Sequence, residues 1–139
     1  MYGLYNDSVK INCGVLSPAA QEQAYRDAKV YFCLGSKPAP VTYNFAEALM
    51  TGIPVVTFGP ILGNGSPAMY EIPEMVENGK EAFYSDYEDE LEDYIRLMLT
   101  DNNLAKTISV NARNKALKLF SKALNKQLWD EIIKEATGT

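Results

Sequence analysis

The sequence contains no histidine. Histidine is the commonest proton shuttle near neutral pH, the usual base beside a nucleophilic serine or cysteine, and a frequent zinc ligand. Its absence excludes Ser-His and Cys-His nucleophile pairs and histidine-ligated zinc sites. Chemistry on this chain must therefore use carboxylates, hydroxyls, lysines, backbone dipoles or groups on another chain.

Cysteine is also scarce. The two cysteines, Cys13 and Cys33, both lie in apolar runs and lack the C-x-x-C spacing of a metal or redox site. We therefore expect two buried thiols.

Basic residues and long apolar runs are few as well. Thirteen Lys and Arg stand against eighteen Asp and Glu, a net charge of −5 without a basic block, so we expect no nucleic-acid partner. No apolar run approaches the ~20 residues that a membrane-spanning helix needs, and the N-terminus lacks a signal-peptide pattern. We expect a cytoplasmic protein with no transmembrane segment. Its 139 residues, 47% of them apolar, fit a single domain.

The first half of the chain predicts strands alternating with helices. Val30 to Leu34 (VYFCL) and Pro54 to Phe58 (PVVTF) are short β-favouring runs, suited to strands buried on both faces of a parallel sheet. Lys10 to Leu16 predicts another strand. Ser17, as a capping residue before a proline, predicts a helix from Pro18 to about Ala28. This alternation indicates an α/β fold.

A short helix is predicted after the loop from Ser36 to Tyr43. Asn44 is a suitable N-cap, which puts Glu47 at the third helical position, and Gly52 marks the end of the helix. Pro54 follows, where a helix cannot continue.

The second half predicts mainly helices. A loop over Gly59 to Pro67 leads to a helical turn at Ile72 to Val76, a turn at Asn78-Gly79 and a brief edge strand at Ala82 to Tyr84. Three helices follow, opened by a Ser85-x-x-Glu88 capping box, by Asp101 and by Ser121. We expect the tail from Thr137 to be frayed. The last helix carries an apolar stripe of Leu124, Leu128, Trp129, Ile132 and Ile133.

The order of these segments resembles the C-terminal, nucleotide-sugar-binding domain of GT-B glycosyltransferases of the retaining, group 1, family 4 type. The resemblance lies in Val9 to Ala28, in Asn44 to Val56 (NFAEALMTGIPVV), in Ile72 to Gly79 (IPEMVENG) and in Asp101 to Ser121. It implies a truncated Rossmann-like parallel sheet flanked by helices, with residues 1–139 as one partial domain. It also implies transfer of a sugar from a nucleotide sugar to an acceptor, in glycan or cell-surface polysaccharide synthesis.

The chain departs from the family pattern in two places. Retaining members carry two glutamates eight positions apart; Glu47 matches the second, but Ala39 stands at the first, and Pro40 to Thr42 replace a glycine-rich tract. The first strand, glycine loop and helix of the family domain, with their Arg/Lys pair, have no counterpart, and neither does the N-terminal acceptor domain. We therefore assign no catalytic residue, expect no cofactor or metal, and expect the isolated chain to be inactive. The alternative is a non-catalytic nucleotide-binding or interaction module.

Glu47 has two interpretations. As the third residue of its helix it would fold back onto the cap residue's backbone N–H; the resemblance instead implies that it binds the nucleotide ribose at the carboxyl end of the sheet. The helix entrance would bind the diphosphate through backbone N–H groups. The candidate nucleotide-sugar-binding residues are Glu47, Thr42, Tyr43, Asn44, Phe45 and Ala46.

Other motifs have simpler explanations. Gly63 to Ser66 lacks the ending of a phosphate-binding loop, so we interpret it as a turn. The acidic run Glu88 to Asp93 lies at a helix start, where carboxylates complement the helix dipole and face water. Because the elements that would cover one side of the sheet have no counterpart, we also expect a homo-oligomer formed through an exposed sheet edge.

Overall fold

The computed structural model describes residues 15–33, 41–63 and 71–138. The strands within these ranges form one parallel sheet in the order β1-β2-β3, and helices flank it. The α/β prediction is thereby confirmed. The elements are α1 (Pro18–Asp27), β1 (Tyr31–Cys33), α2 (Tyr43–Thr51), β2 (Val55–Phe58), α3 (Pro60–Gly63), α4 (Ile72–Met75), β3 (Phe83–Ser85), α5 (Glu88–Thr100), α6 (Asn102–Leu119) and α7 (Lys122–Thr137).

The central strand β2 is covered on both faces. Val55 and Val56 are both fully buried, and as consecutive strand residues they point to opposite sides of the sheet. Val55 packs in a cluster with Phe45 and Leu49 of α2. Val56 packs in a second cluster, with Leu91, Met98 and Ile108. The predicted two-sided burial is therefore confirmed for β2, but it is wrong for β1, where Phe32 is 39% exposed.

Helix α6 contributes to both clusters. Its Ile108 joins the cluster around Val56, whereas Ala112 and Ala116 join the cluster around Val55 and α2. All three side chains are buried. The two alanines leave room for α2 to approach closely, so one helix links the two halves of the core.

Gly52 ends α2 where this helix meets α6. Its φ of +78° lies in the left-handed region, which a glycine adopts without steric cost. A Cβ at this position would also lie 3.1 Å from Ser109 Oγ and 3.3 Å from the Ser109 carbonyl oxygen. Both the backbone conformation and the packing therefore require glycine, as the predicted helix end indicated.

Three predicted helix starts are confirmed by side-chain hydrogen bonds. Ser17 Oγ accepts from Ala20 N at 3.3 Å, and Pro18 occupies the first helical position of α1. Asp101 Oδ1 accepts two bonds at the start of α6, and Ser121 Oγ accepts one at the start of α7. These caps use neighbouring residues, which is why the sequence alone predicts them.

The predicted N-cap of α2 is wrong. The helix begins at Tyr43, and Thr42 is the cap, with its Oγ1 3.4 Å from Phe45 N. Phe45 is fully buried, and its backbone N–H needs an acceptor that water does not supply. Thr42 supplies one through its hydroxyl and another through its carbonyl oxygen at 3.1 Å.

The predicted Ser85-x-x-Glu88 capping box is also wrong. Ser85 ends strand β3, and α5 begins only at Glu88, with Tyr87 as its N-cap. The Ser85 hydroxyl instead donates to Glu90 Oε2 at 2.6 Å and accepts from Tyr87 N. The serine therefore tightens the β3–α5 turn rather than capping the helix.

The predicted loop Gly59 to Pro67 contains a short helix, α3. Asp86 supports its start, because Asp86 Oδ1 accepts from Ile61 N at 2.8 Å and from Leu62 N at 2.9 Å. The capping carboxylate thus comes from another loop, about 25 residues later in the sequence, so no local pattern signals it.

Helix α7 buries none of its residues, and its predicted apolar stripe is largely exposed, Trp129 at 64%. The helix continues through Thr137, so the predicted fraying begins too early.

Of the predicted first strand, Val15 and Leu16 have no regular structure, and residues 10–14 lie outside the described ranges. Whether this strand covers the edge of the sheet is therefore untested, and the exposed sheet edge stays a prediction. No helix in the described ranges is long and apolar enough to cross a membrane.

Replacement of Gly52 by alanine tests the contact between α2 and α6. We expect Gly52→Ala to lower the free energy of unfolding by about 3 kcal/mol, from the left-handed conformation and the close contact with Ser109 together. Gly79→Ala is the control, because Gly79 has a similar φ of +76° but only an ordinary contact with Phe83. Its cost should be about 1 kcal/mol. Urea denaturation measures both, and equal losses would contradict the proposed packing role.

Candidate functional site

A cavity of about 680 Å³ lies between α1 and α2. It is a groove open to solvent rather than an enclosed cavity, and its volume lies within the range of clefts that bind small molecules. Polar side chains of both helices line it, among them Gln21 and Tyr25 of α1 and Asn44 and Glu47 of α2. The remaining lining residues are Leu16, Pro18, Ala19, Glu22, Arg26, Met50, Thr51 and Arg113.

Glu47 presents an exposed carboxylate to this cavity. Because Thr42 is the N-cap, Glu47 lies five positions after the cap rather than three, and the capping-box interpretation is wrong. The carboxylate is held instead by α1, where Gln21 Nε2 donates to Glu47 Oε2 at 2.9 Å. One bond leaves most of the acceptor capacity of a carboxylate unused.

Tyr25 connects this contact to the core. Its ring is only 9% exposed and packs edge-on against Tyr31, with 5.2 Å between ring centroids. Its hydroxyl accepts from Gln21 Nε2 at 3.2 Å and donates to the Asn44 carbonyl oxygen at 3.4 Å. Burial is the main cause that raises the pKa of this hydroxyl, and the negative charge of Glu47 raises it further. The hydroxyl is therefore protonated at neutral pH.

The entrance of α2 offers fewer backbone donors than the sequence alone suggested. The N–H groups of Phe45 and Ala46 both point to the Thr42 carbonyl oxygen, at 3.1 and 3.3 Å. Tyr43 and Asn44, the first two helical residues, have N–H groups that find no acceptor within an α-helix. They are the positions at which an external anion gains most from the helix end.

Two arginines line the cavity away from this entrance. Arg113 Nη1 donates to the Met50 carbonyl oxygen at 2.5 Å, near the C-terminal end of α2. Met50 lies seven positions after Tyr43 in the helix, roughly 10 Å along the axis. Arg26 pairs with Glu22 at 2.6 Å on the surface, and both side chains are more than half exposed. Arg113 is thus held away from the helix entrance, and the charge of Arg26 is already paired with Glu22.

The structure brings two of the six predicted site residues, Glu47 and Asn44, into the cavity wall. Thr42 is the helix cap, the Phe45 side chain is fully buried in the core, and Tyr43 is 89% exposed. Ala46 contributes its backbone N–H to the first turn. Ala39 lies outside the described residues.

Gln21 and Tyr25 also line the cavity, although neither is among the residues predicted from the sequence. Their spacing of four residues places them on one helix face, a signal that was available. Their contact with Glu47 and Asn44 depends on how α1 packs on α2, and the hydrogen bond from Gln21 to Glu47 spans 26 residues of sequence. No local pattern predicts such a pairing.

The acidic run Glu88 to Asp93 forms the start of α5, and its acidic residues are exposed, as predicted, while Glu90 also accepts from the Ser85 hydroxyl. Within the described ranges, no group of three or more carboxylate or cysteine side chains is arranged to hold a metal. Cys33 is a buried thiol, as predicted, whereas Cys13 and residues 64–66 of the predicted turn lie outside those ranges.

The three-stranded parallel sheet with its helices matches part of a GT-B glycosyltransferase fold. Two crystal structures of Anabaena Alr3699/HepE are similar to it, one in complex with UDP-glucose and one with UDP and glucose. Their TM-scores are 0.66 and 0.68, at 23% sequence identity. The similarity covers 89% and 90% of this chain, which spans only 32% of the length of theirs. No protein-family model and no curated protein matches the sequence.

Replacing Thr42 and Asn44 in turn distinguishes the observed cap from the predicted one. Thr42→Ala removes the hydroxyl that accepts from Phe45 N, and we expect it to lower the free energy of unfolding by about 1 kcal/mol. Asn44→Ala should change it by less than about 0.5 kcal/mol, since among the described residues only the backbone of Asn44 takes part in hydrogen bonds. Thermal and urea unfolding measure both, and a larger loss from Asn44→Ala would reverse the assignment.

Proposed function

We propose that this chain binds the nucleoside diphosphate part of a nucleotide sugar, as part of the donor-binding domain of a glycosyltransferase. The observation that carries the proposal is the Glu47 carboxylate, which faces a cavity of about 680 Å³ beside the first turn of α2. The fold match supports it, because Alr3699/HepE was crystallised with UDP-glucose and with UDP and glucose.

Glu47 is suited to a ribose. A carboxylate accepts hydrogen bonds from two neighbouring hydroxyls at once, and these bonds are strong because the acceptor is charged. Glu47 is already oriented by Gln21 and has acceptor sites left for a ligand. Its helix follows β1 in a parallel sheet, and ligands of such sheets bind at the carboxyl ends of the strands.

In this proposal the diphosphate binds the backbone N–H groups of Tyr43 and Asn44. These two N–H groups precede Phe45, whose N–H is bonded by the cap Thr42, and the helix dipole favours an anion at this end of the helix. Glu47 lies about one helical turn further along α2, roughly 5 Å along the axis. That spacing suits a ribose and its attached phosphate.

The interaction we propose is weak in the isolated chain. Hydrogen bonds with charged groups contribute roughly 1 to 3 kcal/mol each. After the cost of immobilising the ligand, two or three such contacts leave a dissociation constant on the order of millimolar. Arg113 is held near the opposite end of α2, and Arg26 is already paired with Glu22, so neither charge is available to offset the diphosphate.

A binding module without catalysis is the second candidate. The sequence observation that favours it is Ala39, which stands where the retaining family has its first glutamate. Both candidates require nucleotide binding at Glu47. They differ in whether a longer protein that includes this chain transfers sugar.

Titration with UDP tests the role of Glu47. We expect Glu47→Ala to weaken UDP binding about tenfold or more, because a charged acceptor of two hydroxyl hydrogen bonds is lost. Chemical-shift changes in a nitrogen-15 NMR spectrum report affinities in the millimolar range. The matched control is Glu92→Ala, which removes an exposed glutamate of α5 that pairs with Arg96 outside the cavity. Equal binding by wild type and Glu47→Ala would refute the ribose contact.

The chain alone should transfer no sugar. Transfer requires an acceptor positioned next to the donor, and positioning supplies a large part of the rate of such reactions. It also requires preorganised charge around the leaving diphosphate, and loss of one such contact typically slows catalysis about a hundredfold or more. Incubation with UDP-glucose and an assay for released glucose and UDP measure this, and steady turnover would overturn the expectation.

A further inference from the structure

Gln21 is the only side chain of the described residues that holds the Glu47 carboxylate by a hydrogen bond. Glu47 is exposed, and a long exposed side chain samples several rotamers unless a neighbour restrains it. A ligand that had to order this side chain would bind more weakly. The partner that orders it in advance therefore influences affinity through Glu47.

The Gln21 amide uses both of its N–H bonds within the protein. One points to Glu47 Oε2 at 2.9 Å and the other to the Tyr25 hydroxyl at 3.2 Å. The amide cannot be flipped without placing its oxygen against the carboxylate, which is repulsive. The direction of the bond to Glu47 is thereby fixed.

The anchor behind Gln21 is packed into the core. Tyr25 is nearly buried and packs edge-on against Tyr31, and its hydroxyl also donates to the Asn44 carbonyl oxygen. A continuous path of contacts thus runs from the core through Tyr25 and Gln21 to the carboxylate. Because Gln21 is neutral, it orients Glu47 without cancelling the charge that makes it a strong acceptor for hydroxyl groups.

We propose that Gln21 is a positioning residue that holds the Glu47 carboxylate ready to accept the two vicinal hydroxyls of a ribose, so that the site prefers ribonucleotides. The inference rests on the proposed function, since it concerns the same site. It assigns to α1 the preference for the sugar of the nucleotide, while α2 supplies the contact itself.

The test compares UDP with 2′,3′-dideoxy-UDP, which lacks both hydroxyls. Wild type should bind UDP about tenfold more tightly than the dideoxy analogue. Gln21→Met keeps the length of the side chain and removes its donors, and we expect the ratio to fall to about twofold while binding of the analogue is unchanged. Gln21→Glu places a like charge beside Glu47 and should lower the ratio further.

Three comparisons make the result specific. Gln23→Met is the matched control, because Gln23 lies on the same helix, bonds Asp27 as its one side-chain partner in the described ranges, and does not line the cavity. It should leave the ratio at the wild-type value. In a Glu47→Ala background, Gln21→Met should have no further effect on the ratio, as expected for a residue that acts through Glu47. Without any nucleotide, Glu47→Ala should displace the side-chain amide NMR signals of Gln21 and leave those of Gln23 in place.

Each result decides one question. A wild-type ratio near one overturns the proposed ribose contact, and this inference with it. A wild-type ratio of about ten that Gln21→Met and Gln21→Glu both retain overturns the positioning role alone. Gln21 amide signals that do not respond to Glu47→Ala also overturn it, whatever the nucleotide data show.

Discussion

The packing of α2 between strand β2 and helix α6 fixes the position of every candidate site residue. Phe45, Ala48 and Leu49 are fully buried, which locks the helix in rotation and along its axis. Glu47 lies between these residues in sequence but on the other side of the helix, towards α1. The orientation of an exposed carboxylate thus depends on hydrophobic contacts made by its neighbours. Mutations that loosen α2 would move the site without touching it.

Much of the architecture could be predicted from the sequence because its signals are local. Continuous apolar runs such as PVVTF indicate strands buried on both faces, and β2 is such a strand. The caps Ser17, Asp101 and Ser121 are predictable because a capping side chain bonds an N–H group no more than three residues away, as each of them does. The importance of the α2 region followed from a resemblance in the order of motifs. That resemblance selected Glu47, which the structure places in the cavity wall.

The features that the sequence did not predict correctly share a physical cause. Thr42 rather than Asn44 caps α2 because Phe45 is buried and its N–H needs an acceptor, a requirement that appears only once the core is known. The start of α3 depends on Asp86, and the orientation of Glu47 depends on Gln21, each distant in sequence. Helix periodicity indicates that α7 has an apolar stripe, but it does not reveal whether the stripe meets a partner. Pairings between distant segments set these features, and no local pattern encodes them.

The bond between Arg113 and the Met50 carbonyl oxygen has a consequence for the order of folding. It joins residues 63 positions apart, and the alanines of α6 that receive α2 are equally distant in the chain. Contacts of such long range carry a larger entropic cost of loop closure than local ones, a cost that is offset only once other contacts have formed. During synthesis, the stretch from Pro18 to Thr51 leaves the ribosome well before α6 exists. The carboxylate of Glu47 therefore acquires its final setting only when the C-terminal half of the chain has been made.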